Sequence, residues 1–254
     1  MSAAAPAWPR LLVWPGLLIL LSFVVLIGLG TWQVERLHWK EGLIAEVTER
    51  THLKPVPLPP SADWGRLDID HWDYRPVTLR GRFRHDLEIR VYTFIGEPKG
   101  KLGGAGYWVL TPLVLDGGGT VIVNRGFVPM DRADPATRVS GQVPGEVTVT
   151  GLLRRPQDRN LFTPADQPAK RLFFTRDPEA IAADYHIAGA APFTVDADAT
   201  PNPGGLPQGG ETTLDFPNNH LQYAITWYGL AAILVGFTVA LILRRGRAHP
   251  LASP

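Results

Sequence analysis

Two long apolar runs bracket the chain. Leu11–Thr31, LLVWPGLLILLSFVVLIGLGT, carries no charge over 21 residues, and Leu221–Leu243 carries none over 23. A bilayer core about 30 Å thick is crossed by about 20 helical residues, so each run is long enough to span one. The first exceeds the apolar core of an ordinary signal peptide, and no A-x-A-like site follows it. The expectation is an uncleaved anchor. Trp8, Trp14, Trp32, Trp39, Tyr223, Trp227 and Tyr228 stand near the run ends, as an interfacial aromatic belt would.

Between the runs the pattern changes twice. Trp32–Arg50 holds one Gly, no Pro and many good helix formers, which predicts a helical extension of the first span over 32–54. Trp32, Arg36, Trp39 and Lys40 fall at i, i+4, i+7 and i+8 and are expected to share a face. KPVPLPP, with four prolines between Pro55 and Pro60, forces extended backbone and ends that helix. Partial apolar–polar alternation then predicts strands in YRPVTLRGRFR, LEIRVYTFIG, GYWVLTPLVL, TVIVNRGFVP and EVTVTGLLRR, with shorter ones in RLFFT and APFTVDAD. LDGGGT reads as a hairpin turn, and Gly126 as a turn or bulge residue with positive φ. Asp177 caps and Pro178 opens a short helix reaching His186.

The expected fold is membrane α plus β: two transmembrane helices flanking an antiparallel, β-rich external domain, barrel or sandwich, with one or two short helices. By residue, 1–10 is an N-terminal segment and 11–31 the first span. The external domain runs over 55–215, including a flexible loop at 200–210. The second span is 221–243, and 244–254 is a basic tail. Arg244, Arg245 and Arg247 follow the second span and place that tail in the cytoplasm. Arg10 before the first span and Arg36 and Lys40 after it disagree mildly, but a long translocated loop counts little in this rule. Both termini are then cytoplasmic and the domain lies outside, in the periplasm of a bacterium or the intermembrane space of a mitochondrion.

Net charge is +1, so there is no electrostatic case for a nucleic-acid partner. Cys is absent, which removes disulfides, thiolate metal sites, Cys nucleophiles and covalent CxxCH haem attachment. No motif of an enzyme stands out. Ser61 and Ser140, the serines of the external domain, lack a G-x-S-x-G context, H-E-x-x-H does not occur, and EPKGKLGGAG is not a P-loop. The acids of VDADA could suggest a cation site, but two acids at a strand end read more simply as solvated groups.

Of the seven histidines, His38, His52, His71, His85, His186 and His249 fall in polar or loop-like stretches. His220 differs. On a helix it shares a face with Tyr223, Ala224 and Trp227, an imidazole beside flat aromatic surface at the mouth of an apolar run. Two readings fit that face. One is an axial ligand of haem iron, for which imidazole is the usual donor. The other is an interfacial anchor that hydrogen-bonds headgroups or the other helix. Arg36 and Lys40 likewise either pair with propionates or lipid phosphates, or snorkel and stack on the tryptophans.

GLGTWQVERLHWK, YRPVTLRGRF, GYWVLTPL, VNRGFVP, GEVTVTGLLR and NNHLQYAITWYGL, in that order from about Gly28 to Leu230, resemble the Surfeit-locus-one family. The resemblance implies a non-enzymatic assembly factor of haem–copper terminal oxidases, chiefly cytochrome c oxidase, resident in an inner membrane; the Arg-rich tail and brevity suit a bacterial member, whose domain would be periplasmic. It implies non-covalent, transient binding of haem a with His220 as iron ligand. Tyr223, Trp227 and Trp32 would offer contact surface, and Arg36 and Lys40 would meet propionates. The implied partners are the oxidase catalytic subunit and membrane lipid, with haem a synthase a further candidate. The alternative is a scaffold that binds no haem and stabilises an oxidase subunit.

Overall fold

Two helices carry the apolar runs. The computed structural model describes residues 8–212, 216 and 218–247; the outer parts of the expected terminal segments, 1–7 and 248–254, lie outside these. Helix α1 (Trp8–Thr51) passes unbroken through the first run and the expected extension, and α4 (His220–Arg247) carries the second run. Both are long and apolar enough to cross a membrane. The chain divides into two compact units, Met1–Glu46 with Asp215–Pro254, and Val47–Leu214.

Burial along the helices of the first unit follows a heptad rhythm. On α1 the covered positions include Ile19, Phe23, Leu26, Gly30, Gln33, Leu37, Lys40 and Ile44, spaced alternately four and three apart. On α4 they are His220, Ala224, Trp227, Ala231, Leu234 and Thr238, with the same spacing. This is the seam geometry of paired helices. Small residues set the approach: Gly30 on α1, and Ala224 and Ala231, each 2% exposed, on α4. The large side chains between seam positions, such as Leu21, Val24, Ile225 and Phe237, stay exposed, as suits a lipid-facing surface.

The second unit is one mixed sheet. Its strands are β1 (Val56–Pro57), β2 (Pro76–Phe83), β3 (Ile89–Ile95), β4 (Gly104–Leu115), β5 (Thr120–Pro129), β6 (Glu146–Arg154), β7 (Leu172–Phe173) and β8 (Ala190–Ala197). They lie in the order β1-β2-β6-β8-β5-β4-β3-β7, and β2 also meets β4 over Gly81–Phe83, so the sheet curls strongly. The antiparallel barrel or sandwich expected from the pattern is corrected to a mixed sheet. The pairs β1–β2, β3–β7 and β5–β8 are parallel. Alternation reports which residues face inward, not the direction of the neighbouring strand. The chain enters β8 only after β6, β7 and helix α3 (Pro178–Asp184), and runs there in the same sense as β5. The Asp177 side chain caps α3 as expected, accepting from the Glu179 and Ala180 amides. A short helix, α2 (Ile69–Trp72), and several 3₁₀ turns were not legible beforehand.

Strand β5 is covered on both faces, which explains its near-continuous apolar run. Val121 and Val123 join Trp64, Leu113, Phe193 and Val195 on one side, while Ile122 joins Ile89, Leu110, Phe173 and Ile181 of α3 on the other. Gly126 has φ 128°, as expected.

Two expectations fail for one reason, the packing of distant loops on this sheet. The loop 200–210 is pinned rather than free. Gln208 and Phe127 exchange both backbone hydrogen bonds at 2.8 Å, and the Gln208 side chain accepts from Lys101 N and Leu102 N. Asp196 is not solvated. It is 2% exposed and accepts from Arg154, Arg176, Asn124 and Thr212. Glu88 and Arg138 form a second buried ion pair, with Arg125 Nη1 3.9 Å from Glu88. Burial pushes the Arg125 guanidinium down to about 10; Glu88 resists and Arg138 adds to it.

Candidate functional site

His220 opens α4. Its ring is half-buried on the helix seam, and its Nδ1 lies 2.7 Å from the Gln33 Oε1 on α1. This is a contact to the other helix, one of the two partners that the anchor reading allowed. It occupies one ring nitrogen only; among the described residues Nε2 makes no hydrogen bond. The donor set left at this position is a single imidazole nitrogen at the polar end of two lipid-facing helices. That fits a group needing one nitrogen ligand and an apolar surround, such as a non-covalent haem. Among the described residues, no three His, Asp or Glu side chains come together to hold a bare metal ion.

The other candidates divide between the seam and its flanks. Trp227 is on the seam with His220, seven residues on and partly covered. Tyr223 stands on the flank, 54% exposed. The face proposed for α1 splits in two. Trp32, Arg36 and Trp39 lie on the exposed flank, with the Arg36 guanidinium 4.3 Å from the Trp39 ring centroid. Lys40 is on the seam line, its Nζ 5.5 Å from the Phe216 centroid. Both cations thus rest on aromatic rings.

Gln33 is the residue that periodicity by eight positions overlooked. It belongs to the line Gly30, Gln33, Leu37, Lys40, one step in sequence from Trp32. A count at heptad spacing through the end of the first run reveals it, because it is a polar amide in an apolar series. Gly30 and Thr31 complete the contact, with the Thr31 and Tyr228 hydroxyls 3.1 Å apart.

A heptad-packed pair of membrane helices, bracketing a mixed-sheet domain and ending in a polar His–Gln contact, defines a membrane-anchored β-domain protein. Comparison with known proteins narrows the class. The SURF1 family model matches residues 20–232, and the chain belongs to that family. Surfeit locus protein 1 of Mus musculus is 40% identical over 215 residues, covering 81% of this chain and 68% of the mouse protein. That of Homo sapiens is 40% identical over 225 residues, covering 84% and 73%. A SURF1-like protein of Drosophila melanogaster is 36% identical over 230 residues, covering 85% and 74%.

Proposed function

We propose that this chain is an assembly factor for a haem–copper terminal oxidase of the cytochrome c type, binding haem a at His220 and assisting its transfer to the catalytic subunit. Family membership supports the assembly role. The observation that carries the haem reading is the half-buried His220 on the same seam as Trp227, two turns before it, with Nδ1 held and Nε2 unbonded. Bound haem would supply an iron centre for transfer and no turnover, so the role is non-catalytic. The chain's own contribution is an imidazole for the iron, the ring of Trp227 as apolar contact, and lipid-facing helix surface beside them. The absence of Cys makes attachment non-covalent, which permits release.

The arginines after the second run support a reading in which both termini are cytoplasmic and the domain lies outside an inner membrane. The oxidase catalytic subunit and lipid are the partners, with haem a synthase as the donor side.

The scaffold reading also has an observation in its favour: the Gln33 contact gives His220 a partner without any ligand. The full-length protein, purified from haem-a-producing cells, separates the two. Wild type is expected to show a Soret band and a haem a pyridine haemochrome, and His220→Ala is expected to lose both. Equal haem a in His220→Ala would favour the scaffold.

A further inference from the structure

We infer that Gln33 is a positioning residue for the His220 imidazole, fixing the tautomer and ring orientation in which Nε2 offers its lone pair to iron; this rests on the haem reading above. The Gln33 Oε1 is 2.7 Å from His220 Nδ1. An amide carbonyl oxygen accepts and cannot donate, so the proton of this bond is on Nδ1. In a neutral imidazole that assigns the lone pair to Nε2. Metal-ligating histidines commonly donate their second ring N–H to a fixed oxygen in this way, which sets the ring plane and raises ligand basicity.

The position of Gln33 bears this out. It is 9% exposed, on an otherwise largely apolar seam between Gly30 and Leu37. A hydrogen bond between membrane helices contributes only modestly on average. That is too little to assemble two helices of this length, which the seam packing already holds. An apolar residue at position 33 would pack as well. What the amide adds is direction: a single acceptor that leaves the ring one preferred setting. Its neutrality matters too. A carboxylate at the same place would draw the Nδ1 proton more strongly and make the imidazole a firmer ligand. A neutral amide orients the ring while leaving iron–imidazole bonding weak enough for a carrier to release.

The test uses the full-length protein in lipid nanodiscs, with ¹⁵N-labelled histidine, haem-free and then titrated with ferric haem a. Haem-free wild type is expected in the Nδ1–H tautomer at His220, and Gln33→Leu as a mixture of tautomers. Gln33→Leu is expected to bind haem a about 10–100-fold more weakly, with a lower iron–imidazole stretching frequency in the reduced form. Gln33→Glu is expected to retain binding and to raise that frequency. If wild type requires His220 for haem a but Gln33→Leu matches wild type in affinity, tautomer and stretching frequency, the positioning role is overturned and the haem reading stands. An Nε2–H tautomer in the haem-free wild type overturns it as well. If His220→Ala binds haem a as wild type does, the haem reading itself falls and takes this inference with it.

Discussion

Gly30 lies directly against the ring of Tyr228: a Cβ built on Gly30 would sit 2.7 Å from Tyr228 Cε1. No real side chain tolerates that distance, so a side chain at position 30 would force the Tyr228 ring or the helix to shift. Gly30→Val should push the helices apart and weaken the pair by about 1–3 kcal/mol. The measurement is unfolding of the micellar protein by titrated SDS. The Thr31–Tyr228 contact lies beside this point, so Tyr228→Ala in the Gly30→Val background should recover part of the loss.

The Glu88–Arg138 pair is a different case, because both side chains are 1% exposed. Removing one partner of a buried pair leaves the other charge stranded. Arg138→Met should therefore cost about 3 kcal/mol or more, read as a fall in the denaturant midpoint of the β-domain transition. Glu88→Gln should be at least as damaging, since Arg125 and Arg138 would then face each other without a counter-charge. A midpoint unchanged in Arg138→Met would show that the pair contributes nothing net.

Acid should destabilise the domain in two separate windows. Burial lowers the pKa of His85, and Arg125 adds to this, against the raising effect of its bond to the Val143 carbonyl. The unfolded chain then binds the extra proton first, so stability falls as pH drops below about 6.5 and levels off beneath the folded value. Burial works the other way on Asp196 and favours the neutral acid, but Arg176, Arg154, Asn124 and Thr212 together outweigh it and hold its pKa down. Its contribution is present above about 3.9 and is lost as pH falls through the lower folded value. His85→Gln should flatten the denaturation midpoint between pH 7 and pH 5 while leaving the loss near pH 3. An unaltered slope in that variant would remove His85 from the account.

Gly126 combines φ 128° with a close backbone neighbour, since an added Cβ would overlap the Gln208 carbonyl oxygen. Gly126→Ala should cost at least about 2 kcal/mol, from strain and overlap together, measured by thermal unfolding. It should also free the 200–210 segment, because Phe127 and Gln208 share their backbone bonds at this point. Faster amide exchange at Gln208 would report that release.

The amino-acid sequence by itself determined the two spans and the longer strands. Apolar length determined two spans, proline and glycine the strand ends, and the Asp177–Pro178 pair the start of α3, because each of these is a local property of a few neighbouring residues. It also singled out His220, since an imidazole at the head of an apolar helix stands out in one dimension. The tertiary structure alone decided what each element meets. Strand direction depends on which distant segment lies alongside, so the parallel β5–β8 pair was invisible to alternation. The burial of Asp196 depends on arginines 20 and 42 positions away. Gln33 lies 187 residues from His220. Neither residue's own surroundings in the sequence name the other, and only the heptad packing of two helices sets the amide oxygen on the imidazole.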